Sequence, residues 1–405
     1  MDMDLISKLF VLPVLLLALG TMWIVAPIVR IEAPKHRYAA IDGLRGFLAM
    51  FVFLHHSAMW YYFARIHQWS YFPSSLYNQF GSTSVAMFFM ITSFLFFSKL
   101  IEGYGRKFDW LKLYVSRIAR IMPLYVTVVL ALFIVVGFVT HFTLHESFGS
   151  LLLQFGQWIM IMEPNINHLN GTEFIICSVQ WSLAYEWLFY FSLVIFGWLF
   201  FRLKPSFIVI LTACIFLAIF ALIIAHYYSD RVWLRMWPFA SGLLAAFLAR
   251  NARLKKIFSG NLITPPLLLL IYIGVFTYPS IFSFVPLVCM TMVFIGICCG
   301  NSLFGLLTWK PCRLLGQASY SIYLLHGLVL FITFYFVLGF GQAAHLTVFQ
   351  HWLTIAFCSI FVIIIASFSY AYMEKPGMES AAGLTKKIRE FFGLQLPTMP
   401  ESISH

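Results

Sequence analysis

Apolar residues along this chain come in runs near twenty residues long, broken by short polar segments. As a helix, such a run crosses about 30 Å of hydrocarbon. Eleven stretches qualify: 8–29, 44–62, 82–100, 121–139, 184–201, 206–226, 233–249, 262–278, 283–303, 320–339 and 351–373. A shorter one at 151–162 holds Gln154, Gly156 and Gln157; it is expected to lie at an interface or to re-enter. The runs do not alternate with the period of two that a β-barrel strand requires. The predicted fold is all-α: a polytopic membrane helix bundle of about eleven transmembrane helices.

Composition sharpens this. Of 405 residues, 61% are hydrophobic and only 10% charged, too little charge to cover a soluble surface. Soluble enzymes, disordered chains and fibrous repeats are excluded. Phe, Tyr and Trp make up 19%, which suits lipid contact and interfacial anchoring.

The net charge is +11, but its placement matters more than its size. Of 26 Lys and Arg, 22 lie in six segments: 30–45, 99–120, 202–205, 250–256, 310–313 and the stretch after Met373. Eleven spans put all six on one side, which the positive-inside rule makes the cytoplasm. The expectation is an external amino terminus, a cytoplasmic carboxyl terminus and no nucleic-acid partner. Counting 151–162 as a span would break the pattern. Asp2 and Asp4 in the first segment, and no small-residue cleavage site after it, favour a retained helix over a signal peptide. Three parts are expected: an extra N-terminal transmembrane helix and basic loop (1–36), the main membrane domain (37–376) and a cytoplasmic tail (377–405). The seven Cys form no CxxC pair and no Cys/His metal spacing. They are expected to pack as small core residues, with no metal site.

Ionisable groups inside apolar spans are costly, so each marks candidate chemistry. They are Arg45, His55, His56, Glu186, Arg235 and His326, with Arg117 and Arg120 at a span entrance. Arg45 and His56 are eleven residues apart: three helical turns plus about 20°, over a rise of about 16 Å. They share a face that His55 does not. Arg45 lies at the cytoplasmic mouth and suits a phosphate; His56 lies deeper, toward the outside, and suits proton abstraction. Arg117 and Arg120, at i and i+3, share a face and would complete a polyphosphate cradle. Glu186 opens an outside-to-inside span at a depth where His56 is an expected partner. The plainer alternatives stay open: Arg45, Arg117 and Arg120 as topology charges, His56 and His326 as bundle-core residues, and Glu186 as a solvated interfacial group. Glu374-Lys375-Pro376 reads as a helix stop. On the outer side, Trp60, Tyr61, Tyr62, Trp69, Tyr71 and Tyr77 could stack on sugar rings or form an interfacial belt. The loop at 163–173, with Asn165, Asn167, His168 and Asn170, offers hydroxyl-binding groups.

These residues resemble a family when taken in order. They are Asp42-Gly43-Leu44-Arg45 followed by ten residues and His56; the 81–95 segment with Phe88-Phe89 and Ser93-Phe94-Leu95; the 117–125 segment; Trp181-Ser182 with Glu186; Gly316 through Ser319-Tyr320, Tyr323 and His326; and Glu374-Lys375-Pro376. Over about 37–376 the chain resembles the acyltransferase-3 family of membrane O-acyltransferases, and in particular enzymes that O-acetylate bacterial surface polysaccharides of the lipopolysaccharide O-antigen type. The span at 8–29 is additional to the family's usual ten. The resemblance implies a multi-pass inner-membrane enzyme that moves an acetyl group from cytoplasmic acetyl-CoA to a hydroxyl of a glycan or lipid-linked glycan. His56 would be the base, with Glu186 its orienting or electrostatic partner. Arg45, Arg117 and Arg120 would hold the acyl-CoA, and Trp60, Tyr61, Trp69, His168 and His326 would face the acceptor. The competing reading is a transporter or flippase for a lipid-linked or anionic envelope precursor. That reading favours paired broken helices at the midplane, and only Pro265-Pro266 and Pro279 suggest such breaks.

The topology is directly testable. A reporter fused after His405 should be active as a cytoplasmic fusion and silent as an external one. The opposite result would remove the eleven-span arrangement.

Overall fold

The computed structural model describes residues 3–33, 38–70, 73–105, 108–228 and 232–394. Among these the secondary structure is helical, with one isolated bridge at Ile166 and Leu169. The α-helices in chain order are α1 (Met3–Ile28), α2 (Ala39–Ile66), α3 (Ser75–Glu102), α4 (Trp110–Val139), α5 (Phe148–Ile159), α6 (Trp181–Arg202), α7 (Phe207–Tyr228), α8 (Val232–Leu248), α9 (Ala252–Phe258), α10 (Thr264–Phe276), α11 (Phe284–Cys298), α12 (Lys310–Gln317), α13 (Ser319–Phe331), α14 (Phe340–His345), α15 (Val348–Ser369) and α16 (Lys375–Phe392).

Each of the eleven apolar stretches falls on one of these helices. Among the described residues, six helical segments are long and apolar enough to cross a membrane: Ile6–Ile28, Ser75–Glu102, Trp110–Val139, Trp181–Phe200, Ser319–Val337 and Val348–Phe392. A seventh arises if α9 and α10, bent by 67°, form one broken span. α5 has 12 residues, a rise of about 18 Å, too short to cross. α2 stands outside the six; it carries Asp42, Arg45, His55, His56 and Arg65.

The periphery is apolar. Leu12, Leu16 and Ile24 of α1, Ile134 and Phe138 of α4, and Phe357 and Phe361 of α15 are all exposed. In helices whose backbone bonds are satisfied internally, such faces fit a lipid environment. The protein is a multi-pass membrane protein.

α2 occupies the centre, against α3, α12 and α13, while α3 packs on α8, α1 on α15, and α4 on α16. α12 and the turn before it, Leu306–Thr308, bring their backbones against α2. A Cβ on Gly316 would lie 1.8 Å from the carbonyl oxygen of Asp42, and one on Gly43 would lie 1.9 Å from that of Leu307. Side chains have no room there.

The expected stop at Glu374-Lys375-Pro376 does not occur. α15 passes through a π-helical turn at Tyr370–Glu374 directly into α16. Pro376 sits in the first turn of α16, where its missing N–H costs nothing. α16 is tied back to α4 by Arg389, whose Nη2 lies 2.6 Å from Oδ1 of Asp109. Much of the expected tail is thus a docked helix; 395–405, and Tyr71 of the aromatic cluster, lie outside the described residues.

Gly316→Ala should destabilise the bundle by about 1–3 kcal/mol through overpacking. Gly20→Ala has nothing within 4 Å of the new Cβ and should be neutral or gain up to about 1 kcal/mol from helix propensity. Thermal unfolding of both variants in detergent reads the difference.

Candidate active site

Two adjoining cavities share walls from α2, α3, α6 and α13, with α4 completing the first and α8 the second. The first, about 110 Å³, is lined by Arg45, Arg117 and Arg120 together with Glu186, Ser182, Tyr190, Ser319, Tyr320 and Tyr323. The sequence places these groups on four separate helices, and the bundle brings them to one wall. Among the described residues none of the three arginines makes an ion pair or a hydrogen bond with a carboxylate. Arg117 lies 5.3 Å over the Phe96 ring, and its buried Nε has no partner, nor has the buried Oγ of Ser319. Asp42, Glu374 and Glu186 act on Arg45 only at longer range. Clustered guanidiniums with unused donors fit a polyanion with planar oxygens.

The second cavity, about 250 Å³, is lined by His55, His56, Trp69, Ser70, Ser82, Cys177, Ser178, Trp181, Arg235 and Tyr323. Val85 and Tyr323 line both cavities, so the two meet there. The Tyr323 hydroxyl is fixed by Ser182 Oγ at 2.8 Å and donates to the Val179 carbonyl at 3.1 Å.

The histidines form a directed chain. His326 Nδ1 lies 3.0 Å from the Ile322 carbonyl oxygen, so that nitrogen carries the proton. Its Nε2 must then accept, and it lies 2.8 Å from Nδ1 of His56. His56 therefore donates from Nδ1, which leaves its Nε2 unprotonated on a ring that lines the second cavity. This tautomer follows from the bonding partners. A carbonyl and one imidazole thus orient the other as a base. His55 is bound differently: its Nδ1 lies 2.9 Å from the Tyr77 carbonyl oxygen.

Cys177 completes the group. Its Sγ and one ring nitrogen each of His56 and His326 lie within 4.8 Å of one another. A thiol and two imidazoles are a zinc-type donor set, but here the two rings are hydrogen-bonded to each other. Cys177 and Ser178 both have left-handed backbone (φ 56° and 52°). The turn preceding them presses on α13 at Gly327, where a Cβ would lie 2.4 Å from the Ile176 carbonyl carbon.

The structure separates some residues that the sequence associated. Glu186 lines the arginine cavity and accepts from the Tyr190 hydroxyl; the partner of His56 is His326, not Glu186. Trp60 is fully buried and stacks on Phe334 at 5.4 Å, so it has no face left for a sugar. Tyr61 lies under Arg65, 3.5 Å from its guanidinium carbon, and against His351, outside both cavities. His168 is exposed beside Glu146, at 3.7 Å, also outside them. That carboxylate is held below its ordinary pKa by the Ser150 hydroxyl and the Gln154 amide. Of the expected aromatics among the described residues, Trp69 alone both lines the pocket and lies near His56, its ring centroid 6.1 Å from that of the imidazole. Glu374, read from sequence as a stop, is fully buried. It accepts from Ser321 and acts electrostatically on Arg120 and Arg45. The signal for it was a carboxylate at the end of an apolar run.

Comparison with known proteins bears on this site. The model of a family described as an acyltransferase domain matches residues 38–372. The O-acetyltransferase OatA of Staphylococcus aureus strain MRSA252 is 24% identical over 389 residues, which is 87% of this chain and 59% of that protein. The same enzyme from strains NCTC 8325 / PS 47 and COL matches at the same identity and coverage. The chain thus spans well under two thirds of the length of these relatives. No solved structure gives a significant match.

Proposed function

The chain belongs to this acyltransferase family, and from that premise we propose that it is an O-acetyltransferase of the cytoplasmic membrane. It would take acetyl-CoA from the cytoplasm and modify a hydroxyl of a cell-envelope glycan, such as an O-antigen sugar, on the other side. The observation that carries this reading is the pair of cavities meeting at Tyr323. One holds unpaired guanidiniums; the other holds an imidazole with a fixed, unprotonated Nε2.

In this mechanism Arg45, Arg117 and Arg120 bind the donor's phosphates, and its thioester reaches past Val85 and Tyr323. Glu186 acts on the arginine side, as an electrostatic partner of Arg45. The acceptor hydroxyl attacks the thioester carbonyl carbon while His56 Nε2 takes its proton. The C=O bond re-forms on its own oxygen as the C–S bond breaks, which leaves the acetyl carbon bonded to the acceptor oxygen, and the CoA sulfur leaves with that proton as the thiol. His326 accepts from His56 Nδ1 throughout and stabilises the imidazolium. Trp69 offers its ring to the acceptor. The basic loops support an arginine cavity that opens toward the cytoplasm. Transport without chemistry favours a matched pair of broken helices, and among the described residues one bent pair occurs.

Mass analysis of the envelope glycan from cells with and without the gene should differ by acetyl groups. Identical spectra would sink the proposal.

A second expectation concerns the site. In membranes supplied with labelled acetyl-CoA, His56→Ala should lose about 10²–10⁴ in rate, while His55→Ala is milder. His326→Gln, whose carbonyl can still accept from His56, should retain more activity than His326→Ala. Arg45→Lys should lose most activity, because an ammonium cannot make a planar bidentate contact. A dead His55→Ala beside an active His56→Ala would overturn the assignment.

A further inference from the structure

Arg235 of α8 is not used by the mechanism above, yet it lines the same cavity as His56. Its guanidinium carbon lies 4.5 Å over the Trp181 ring and 5.8 Å from the Tyr185 ring. Among the described residues no carboxylate lies within ion-pair distance of it. An arginine in apolar surroundings without a counter-ion is costly. Two aromatic faces recover part of that cost and hold the cation in place, and among the described residues no hydrogen bond occupies its N–H donors.

The chemistry of this cavity creates such an acceptor. Attack on a thioester moves the carbonyl π pair onto oxygen, and the resulting alkoxide needs donors already in position. His56 takes the proton and cannot serve. Two neutral polar groups of the cavity are already engaged. Ser82 Oγ donates to the Asn78 carbonyl at 3.0 Å, and His55 is engaged with Tyr77. The arginines of the first cavity line a different wall.

We propose that Arg235 is a catalytic residue that binds the oxyanion formed as the acetyl group passes from the donor sulfur to the acceptor oxygen. This rests on the acyltransferase reading. The hydroxyl oxygen bonds to the carbonyl carbon, and the negative charge that appears on the former carbonyl oxygen is met by Arg235. When the C=O bond re-forms and the C–S bond breaks, that charge leaves with the CoA sulfur, which takes the proton from His56. Arg235 ends each cycle unchanged and ready for the next thioester. The aromatic faces matter to this role because they fix the guanidinium before the charge develops, so little reorganisation is needed at the moment of reaction.

The test uses the full-length protein in lipid nanodiscs, labelled acetyl-CoA, and envelope glycan from the same cells de-O-acetylated with mild alkali. Arg235→Ala should lower kcat by about 10²–10³, with KM for acetyl-CoA and for the glycan within about 3-fold of wild type. Arg235→Lys should fall between the two. Added methylguanidine should restore part of the Arg235→Ala rate, saturably, and none of the His56→Ala rate. Thermal unfolding of each variant separates lost folding from lost chemistry, and rescue by a small guanidinium excludes a purely structural role. Three results would overturn the proposal: full activity of Arg235→Ala, a folded Arg235→Ala with no rescue, or a raised KM for the glycan with kcat unchanged. The last would make Arg235 an anion-recognition residue for the acceptor. If the wild type transfers no acetyl group at all, the acyltransferase reading itself fails, and the oxyanion role fails with it.

Discussion

A helix that carries Asp42, Arg45, His55 and His56 within fifteen residues cannot face lipid, and much of the bundle follows from that constraint. Charged and strongly polar side chains are costly in hydrocarbon, so α2 must be covered on every side. α3, α12 and α13 supply the cover. On the α12 side the approach is so close that only glycine fits at Gly43 and Gly316. The outer helices can then be apolar outward, since nothing polar remains for them to shield.

Covering α2 also decides which partners its polar groups meet. His55 turns to a backbone carbonyl on α3 and becomes a packing element. His56, one residue on, turns to α13 and meets His326. Adjacent imidazoles on one helix thus take different chemical roles, because a rotation of about 100° per residue sends them to different neighbours. Arg45, three turns earlier, meets the arginines of α4 and the carboxylate of Glu186. The separation along α2 keeps Arg45 and His56 in different cavities. Val85 and Tyr323 form a wall common to the two cavities, and the proposed donor extends across it.

Two carboxylates complete the arrangement. Glu374 and Glu186 lie near the arginines without closing ion pairs on them. This moderates the repulsion among three cations while leaving donors for an incoming anion. A direct salt bridge would have consumed those donors. The π-helical turn before α16 places Glu374 against Ser321 on α13, which an uninterrupted α-helix would have rotated away. Such turns recur where a helix must re-aim a functional side chain.

Much of this was legible in the chain itself. The runs of apolar residues fixed an all-helical membrane protein, because spanning length is a one-dimensional property. The spacing of Arg45 and His56 put both on one face and excluded His55, because a single helix has a known pitch. The arginine pair at 117 and 120 was readable for the same reason. Partners between helices were not legible. His326 was one polar residue on an apolar stretch until α13 packed on α2, and Cys177 was a lone thiol until its turn met both histidines. Trp60 looked like an outer-face aromatic, and only the packing of Phe334 against it showed it to be core. Glu374 read as a stop, because the sequence does not show whether a proline opens a new helix or ends an old one. The sequence determined which residues each helix presents on a given face, since that depends on local geometry alone. The tertiary structure decided which faces meet, since that depends on packing between segments hundreds of residues apart.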